Sequence, residues 1–332
     1  MRCSRPWNRF RPGRDHGFSL IELMVVVTLI SILLGIGSAL FTHAHRKLAL
    51  NVAAAETVTL LKQARYFSMQ ESERSVILLT PETMELWGYR PVGFWHLEDM
   101  VSHGAFGKNA TPKNLETAAG KVGRSLQFKG ENSSLECGKF GQFNLGDGFS
   151  LSFWVYPERA KDSQSLFQIS HYYILGVNPD YTLALKAFDQ KTNTSLLYPL
   201  PLYQWTHLYL ADHGNSISVL ADDVLLAQLS YRRSRIPQDA PLLLGNGFKG
   251  KMDEVKLCAR VALETLWLPE DIVFRKAPER IVFDRHGALD VSNGISSLTM
   301  LLEKQSAQEC IMVSLSSFGI VSVSEPPKKE QK

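Results

Sequence analysis

The sequence predicts an α+β framework, a long N-terminal helix plus a small antiparallel sheet, with an all-β sandwich inserted in it. Three observations carry this. An apolar run from Phe18 to Phe41 passes without a break into an alanine-rich amphipathic stretch ending near Glu73, and no proline interrupts 18–74. Between about 91 and 271 no long helical periodicity appears, and short runs rich in Phe, Leu, Val, Trp and Tyr alternate with Gly, Asn and Asp. Strand-like runs lie on both sides of that block.

The helix is expected to span about 55 residues, half apolar throughout and half amphipathic. Leu48, Val52, Ala55, Val58 and Leu61 recur at three- and four-residue steps and predict its packing seam. Runs at 75–79 and 84–89, split by Thr80-Pro81-Glu82, predict a β-hairpin. Runs at 280–283, 297–302, 309–315 and 320–323, separated by Gly287, Gly294 and Gly319, predict further strands. The tail 325–332 is polar and contains two prolines, a composition expected to stay disordered.

The N-terminus carries the most specific chemistry. Arg2, Arg5, Arg9, Arg11 and Arg14 precede the apolar run against Asp15 alone, which orients the N-terminus to the cytoplasm. At about 1.5 Å per residue the run from Phe18 to Phe41 is long enough to cross a hydrocarbon core of ~30 Å. Inside it stands one carboxylate, Glu22, and an acid in hydrocarbon is costly without a partner. Cleavage after Gly17 would free such a partner, the α-amino group of Phe18 on a neighbouring copy. The alternatives are a plain anchor and an ordinary secretory signal cut near 37–39 or 42–44, whose apolar region is shorter and would gain nothing from Glu22. The segment G-F-S-L-I-E-L-M-V-V-V resembles the type IV prepilin and pseudopilin signal. That resemblance implies a leader at 1–17, cleavage between Gly17 and Phe18 by a prepilin peptidase, N-methylation of Phe18, and assembly with other pseudopilins or pilins through Glu22. The chain would then cross the bacterial inner membrane once, with its head periplasmic or extracellular on a fibre.

Charge and cysteine content bound the remainder. The formal net charge of +3, from 36 basic and 33 acidic residues, comes largely from the leader, so no nucleic-acid footprint remains in the rest. With Cys3 in the leader, Cys137, Cys258 and Cys310 remain, at a spacing that fits no zinc pattern. In an oxidising compartment Cys137 and Cys258, which share one predicted domain, are the expected disulfide pair; the alternative is three buried thiols.

Two further resemblances organise the chain. The helix with A-R-Y-F-S-M-Q, one strand, and then I-V-F-D-R-H-G, I-S-S-L-T-M-L-L and I-M-V-S-L-S-S-F-G-I-V-S-V resemble the GspH/FimT-like minor pseudopilin head. The intervening block resembles the laminin-G-like, concanavalin A-like jelly-roll family. Its matching segments are G-F-W-H-L-E-D, G-K-V-G-R-S-L-Q-F-K-G-E-N-S-S-L-E, F-S-L-S-F-W-V-Y-P, Q-W-T-H-L-Y-L-A-D-H-G, and a closing F-K-G-K-M-D-E-V-K-L-C-A-R-V-A-L-E-T-L, expected to end in a short helix. The resulting domains are 1–17 leader, 18–90 helix and first head strands, 91–271 jelly roll, 276–324 closing head strands, and 325–332 tail. The first and last strands of such a sandwich lie side by side, which makes insertion into a host hairpin easy.

For chemistry, the glucanase-type carboxylate run of this fold is missing, and Asp253 and Glu254 are adjacent, so on a strand they point to opposite faces. His171, His207 and His213 stand in unrelated contexts, and no enzyme is expected. No cofactor is expected beyond a structural Ca²⁺, for which the family resemblance offers Asp253; Met100-Val101-Ser102-His103-Gly104 departs from the family there, and the alternative is that Asp253 caps a loop. Trp95, Trp154 and Trp205 fall at apolar strand positions and are expected in the core. Tyr172, Tyr173, Tyr181, Tyr198 and Tyr203 fall in loop-like segments and are the expected sugar-facing residues. The reading is a minor pseudopilin-like subunit of a type II secretion or type IV pilus assembly, displaying a domain for a glycan or an exported protein. The alternative is a membrane-anchored laminin-G-like binding protein outside any fibre. The two differ in whether 75–89 and 280–323 form one sheet on the helix.

Overall fold

The computed structural model describes residues 20–99, 109–187, 194–231, 235–290, 297–306 and 309–325, the side chains of 35–47 and 197 excepted. The leader, Gly17, Phe18 and the tail beyond 325 lie outside the described residues. The chain divides into two compact units, Met1–Val52 and Ala53–Lys332.

The helix Leu20–Glu71 runs through both units, with Glu22 near the start of its described part. Every described side chain from 20 to 34 is exposed. Thr28 and Ser31 turn their hydroxyls back onto the carbonyls of Met24 and Val27, at 2.7 and 2.8 Å, so no side-chain hydroxyl of that stretch needs water. Among the described residues no helix is long and apolar enough to cross a membrane; the run 18–41 lies only partly within them.

The second unit is dominated by β-structure. Its helical end buries Ala53, Ala54, Thr57, Leu60, Leu61, Ala64 and Ser68, one face at three- and four-residue steps. The predicted seam is therefore displaced: Leu48, Val52 and Ala55 are exposed, and only Leu61 of that set is fully buried. Small residues win because the helix lies close on the sheet. Phe67 sits where a Cβ on Gly88 would lie, 2.3 Å away, and Ser75 donates to the Ala64 carbonyl at 2.8 Å. Gly88 is thus required by close approach, not by its backbone angles.

A ten-stranded sheet forms one layer of the sandwich, in the order Val224–Ser230, Ser216–Ala221, Thr206–Asp212, Phe149–Pro157, Lys249–Trp267, Thr83–Trp95, Ser75–Leu79 and Arg280–Phe283. Arg124–Lys129 pairs the far end of Lys249–Trp267 and carries Leu115–Ala119 outside it. The opposing layer has seven strands, running from Thr194–Pro199 to Thr111–Lys113. Between the layers lies a single core drawn from residues 95–259, including Trp95, Phe128, Phe149, Phe153, Phe167, Leu208 and Leu257.

Two findings correct the sequence reading. The strand Lys249–Trp267 runs on as strand where a short terminal helix is expected, pairing Thr83–Trp95 antiparallel from Val255↔Trp95 to Trp267↔Thr83. The pairing partner decides this: Thr83–Trp95 is long enough to hold the ladder past the edge of the sandwich as far as Trp267. As a result, 75–89 and 280–283 extend the sandwich's own sheet, while the three strands Ser297–Lys304, Glu309–Ser316 and Val321–Ser324 join Ile272–Lys276 in a separate four-stranded sheet. The flanks do not form one sheet. They are joined locally: Leu289 donates to the Ser317 carbonyl at 2.9 Å, and Arg65 packs against Gly319.

Candidate functional site

Strand parity sorts the outer face of the ten-stranded sheet. Along Phe149–Pro157, residues 149, 151, 153 and 155 enter the core, so Ser150, Ser152, Trp154 and Tyr156 face outward. The same rule turns Trp205, His207, Tyr209 and Ala211 outward beside them, since Leu208 and Leu210 are in the core. This face has a covered end and an open end.

The covered end begins at the helix C-terminus. Ser72 takes a left-handed conformation (φ 52°) and the Glu73 N–H donates to the Ser68 carbonyl at 3.1 Å, a Schellman-type stop. This turn delivers the Glu73 side chain, 2% exposed, onto the outer face. Its carboxylate accepts from Ser150 Oγ and Tyr209 OH, each at 3.0 Å, and from Cys258 Sγ at 3.4 Å. It also pairs with Lys256 Nζ at 3.2 Å, and that ammonium donates to the Glu71 carbonyl at 2.7 Å. Alongside, Tyr89 OH lies 2.6 Å from His213 Nδ1, and Arg260 donates to the His213 carbonyl at 2.8 Å while its guanidinium stacks 4.2 Å from the Trp87 ring.

These groups tie the helix end to the sheet. Burial, followed by the arginines around it, holds His213 well below the ordinary imidazole range. Burial likewise pushes the Tyr89 hydroxyl and the Cys258 thiol up. A cleft of about 360 Å³ opens beside this joint, bordered by Ser152, His207 and Lys256 of the sandwich, by Arg74 after the helix, and by Arg285 and His286 after Arg280–Phe283. Its charges are matched in pairs, Arg74 with Asp290 at 3.0 Å and Arg285 with Asp223. Burial, then Arg285, keeps His207 below its ordinary value.

The open end is aromatic. Tyr156 packs on Trp205 (centroids 5.4 Å apart) and Tyr203 (6.4 Å), and Trp154 on His207 (5.1 Å). Lys251 Nζ lies 4.9 Å from the Tyr156 ring centre and Lys121 Nζ 4.4 Å from that of Trp154.

The residues singled out in the sequence do not gather at one place. Tyr173 is wholly buried, edge-on to Phe149 at 5.3 Å, and cannot face a sugar. Tyr181 is half-buried and its hydroxyl clamps the backbone of Ala160, at 2.9 Å to both N and O. Tyr172 is half-buried against His171, with centroids 4.2 Å apart, and Tyr198 is half-buried, its hydroxyl pKa raised by burial and then by Asp222. Tyr203 alone of the five is exposed, at 54%, and it belongs with the outer-face aromatics. Trp95 is in the core as expected, but Trp154 and Trp205 are not: both are half-buried on the outer face. The disulfide expectation also fails. Cys137 points into the core while Cys258 points away from it to Glu73, and both are free thiols.

Asp253 acts as the loop clamp. Its carboxylate accepts from the N–H groups of Lys121, Val122 and Glu254 at 2.8–2.9 Å, and burial raises its pKa against that pull. Glu254, left-handed at φ 51° in a bulge, turns aside to His96 at 2.9 Å. Among the described residues no three His, Cys, Asp or Glu side chains could hold a metal ion, and 100–104 lies outside them.

Comparison with known proteins fits this architecture. Residues 13–38 match the prokaryotic N-terminal methylation motif, and residues 129–265 match the concanavalin A-like lectin/glucanases superfamily. The chain therefore carries a prepilin-type N-terminus and a laminin-G, lectin-like β-sandwich, a combination of structural and binding parts. No curated protein matches it. Among solved structures it is similar to domain 4 of AbnA, a GH43 extracellular arabinanase from Geobacillus stearothermophilus, in complex with arabinotriose (18% identity, 53% of this chain and 95% of that one, TM-score 0.45). It is also similar to a mutant Trypanosoma rangeli sialidase with trans-sialidase activity (17% identity, 52% of this chain and 31% of that one, TM-score 0.44).

Proposed function

We propose that this chain is a minor pseudopilin-like subunit of a type II secretion or type IV pilus assembly, displaying its sandwich as a binding domain for a glycan or a protein. The observation that carries the reading is the methylation motif at 13–38 leading into a helix whose far end packs on the head strands. Exposed apolar side chains on every side of 20–34 are what a helix presents when lipid or neighbouring helices surround it. Glu22 within that stretch calls for a cationic partner, and the α-amine of Phe18 on an adjacent subunit supplies one after a prepilin peptidase cuts behind Gly17. The N-terminus lies on the cytoplasmic side of the inner membrane and the head on the periplasmic side or on a fibre. The sandwich binds and does not turn over its ligand: Asp253 is taken up as a loop clamp, Glu254 by His96, and His213 by the joint with Tyr89 and Arg260.

N-terminal sequencing of the membrane-extracted protein tests this. The expected start is N-methylated Phe18; a start at Leu40 or His45 would mean an ordinary signal peptidase and overturn the reading. One observation favours a membrane-anchored binding protein outside a fibre, namely that 75–89 and 280–323 lie in two sheets. Glu22→Ala separates the two. A fibre subunit inserts normally but is lost from assemblies, whereas unchanged co-purification with pilins or pseudopilins would refute the Phe18–Glu22 pairing.

A further inference from the structure

We infer that the open end of the outer face is a binding site for a single chain of a carboxylated glycan, a uronate polymer. This rests on reading the sandwich as a binding domain and assigns the site and the ligand class. Cross-strand register aligns Glu116, Gln127, Lys251 and Tyr156 in one outward row, and Trp205, just before Thr206–Asp212, packs on Tyr156 as its fifth member. Adjacent strands lie about 4.8 Å apart, so the row is on the order of 19 Å wide, room for several consecutive sugar rings. Tyr203 extends it at one end, and Trp154 with Lys121 flanks it.

Three features define the occupant. Tyr156, Tyr203, Trp154 and Trp205 have no side-chain hydrogen-bond partner among the described residues, so each offers an apolar ring face with an unsatisfied polar tip. That combination suits a sugar, which is apolar on its faces and hydroxylated at its rim. The rings are tilted, Tyr156 to Trp205 by 53° and Tyr156 to Tyr203 by 68°. A flat crystalline polysaccharide needs coplanar rings, whereas a twisted single chain fits these tilts.

The third feature is charge. Lys121 and Lys251 rest on ring faces and pair with no carboxylate among the described residues. The acids near them are engaged: Glu158 accepts from Gln127 at 3.0 Å, Glu116 pairs with Lys129, and Asp253 accepts three backbone N–H groups. A uronate carboxylate gives each ammonium a stronger partner than a ring does, and its movement uncovers the ring for stacking.

The test is isothermal titration of the full chain in a non-ionic detergent with polygalacturonate and alginate, against neutral arabinan and xylan and against sialyllactose. Uronate polymers should bind, more weakly as salt rises. Trp205→Ala should reduce affinity roughly tenfold or more, and Lys121→Gln with Lys251→Gln about as much, with thermal melts unchanged. The lysine pair keeps the test decisive should Trp205→Ala lose its fold. Uronate binding that survives both variants would overturn the site while leaving a binding domain. Equal binding of neutral polymers, or a preference for sialyllactose, would overturn the ligand class. A blank titration with every glycan would overturn the inference and point the sandwich toward a protein partner, with the fibre reading still judged by its N-terminus.

Discussion

The two ends of one sheet face differ in almost everything except strand geometry. At the covered end the outward residues are Ser150, Tyr209 and Cys258, each hydrogen-bonded to one buried carboxylate from the helix terminus. At the open end they are Tyr156 and Trp205, packed on each other, and Trp154, packed on His207, none with a side-chain hydrogen bond among the described residues. A buried polar face must be satisfied by partners, and those partners make it a joint. A half-exposed aromatic face keeps its capacity for something from outside. The same pair of long strands, Thr83–Trp95 and Lys249–Trp267, carries the sheet from the sandwich to Ser75–Leu79 and Arg280–Phe283.

The comparison can be broken most severely at Glu73. Glu73→Ala removes the acceptor of two hydroxyls and a thiol and leaves Lys256, 21% exposed, without its buried partner. A loss of about 3–5 kcal/mol in unfolding free energy is expected from denaturant titration. A loss below about 1 kcal/mol would show that the joint does not bind the head to the sandwich.

Acidification should loosen the same end. The imidazole of His213 is held well below its ordinary value of 6.5, so under that pH the unfolded chain takes a proton that the folded chain refuses. Stability is therefore kept above about pH 6.5 and lost as the pH falls, by up to about 1.4 kcal/mol per unit. His207 shifts in the same direction. Melting temperature against pH should show this slope, and His213→Gln should flatten it.

Smaller changes sharpen the contrast. Ser72 holds a left-handed backbone that glycine adopts without steric cost, so Ser72→Gly should stabilise the helix stop by about 0.5–1 kcal/mol. At the open end, Trp205→Ala should shift stability by only about 0.5 kcal/mol, as for a surface substitution, because its ring supports no buried group.

Much of this was legible in the chain. The hairpin and the four late strands fall where the runs at 75–89 and 280–323 place them, because Gly and Pro punctuate them clearly. The outward position of Trp154 was also readable: in F-S-L-S-F-W-V-Y it shares parity with the two serines, and hydrophobicity alone misassigned it to the core. Parity likewise separates Cys258 from the core residues Leu257 and Ala259. What no local pattern carried was Glu73, an ordinary acid after an alanine-rich helix. Its importance arises only when the helix stop brings it to Ser150, 77 positions away. Nor did any pattern say that the ladder would continue through 260–267, since helix and strand compete evenly there and the pairing with Thr83–Trp95 decides it.

Scanning calorimetry of the full chain in detergent is the most direct test of the account, which holds that the sandwich and the flanking strands Ser75–Leu79 and Arg280–Phe283 form one cooperative unit on a continuous sheet. One transition is expected, with calorimetric and van't Hoff enthalpies equal. Two transitions, the flanking strands melting apart from the sandwich, would contradict it.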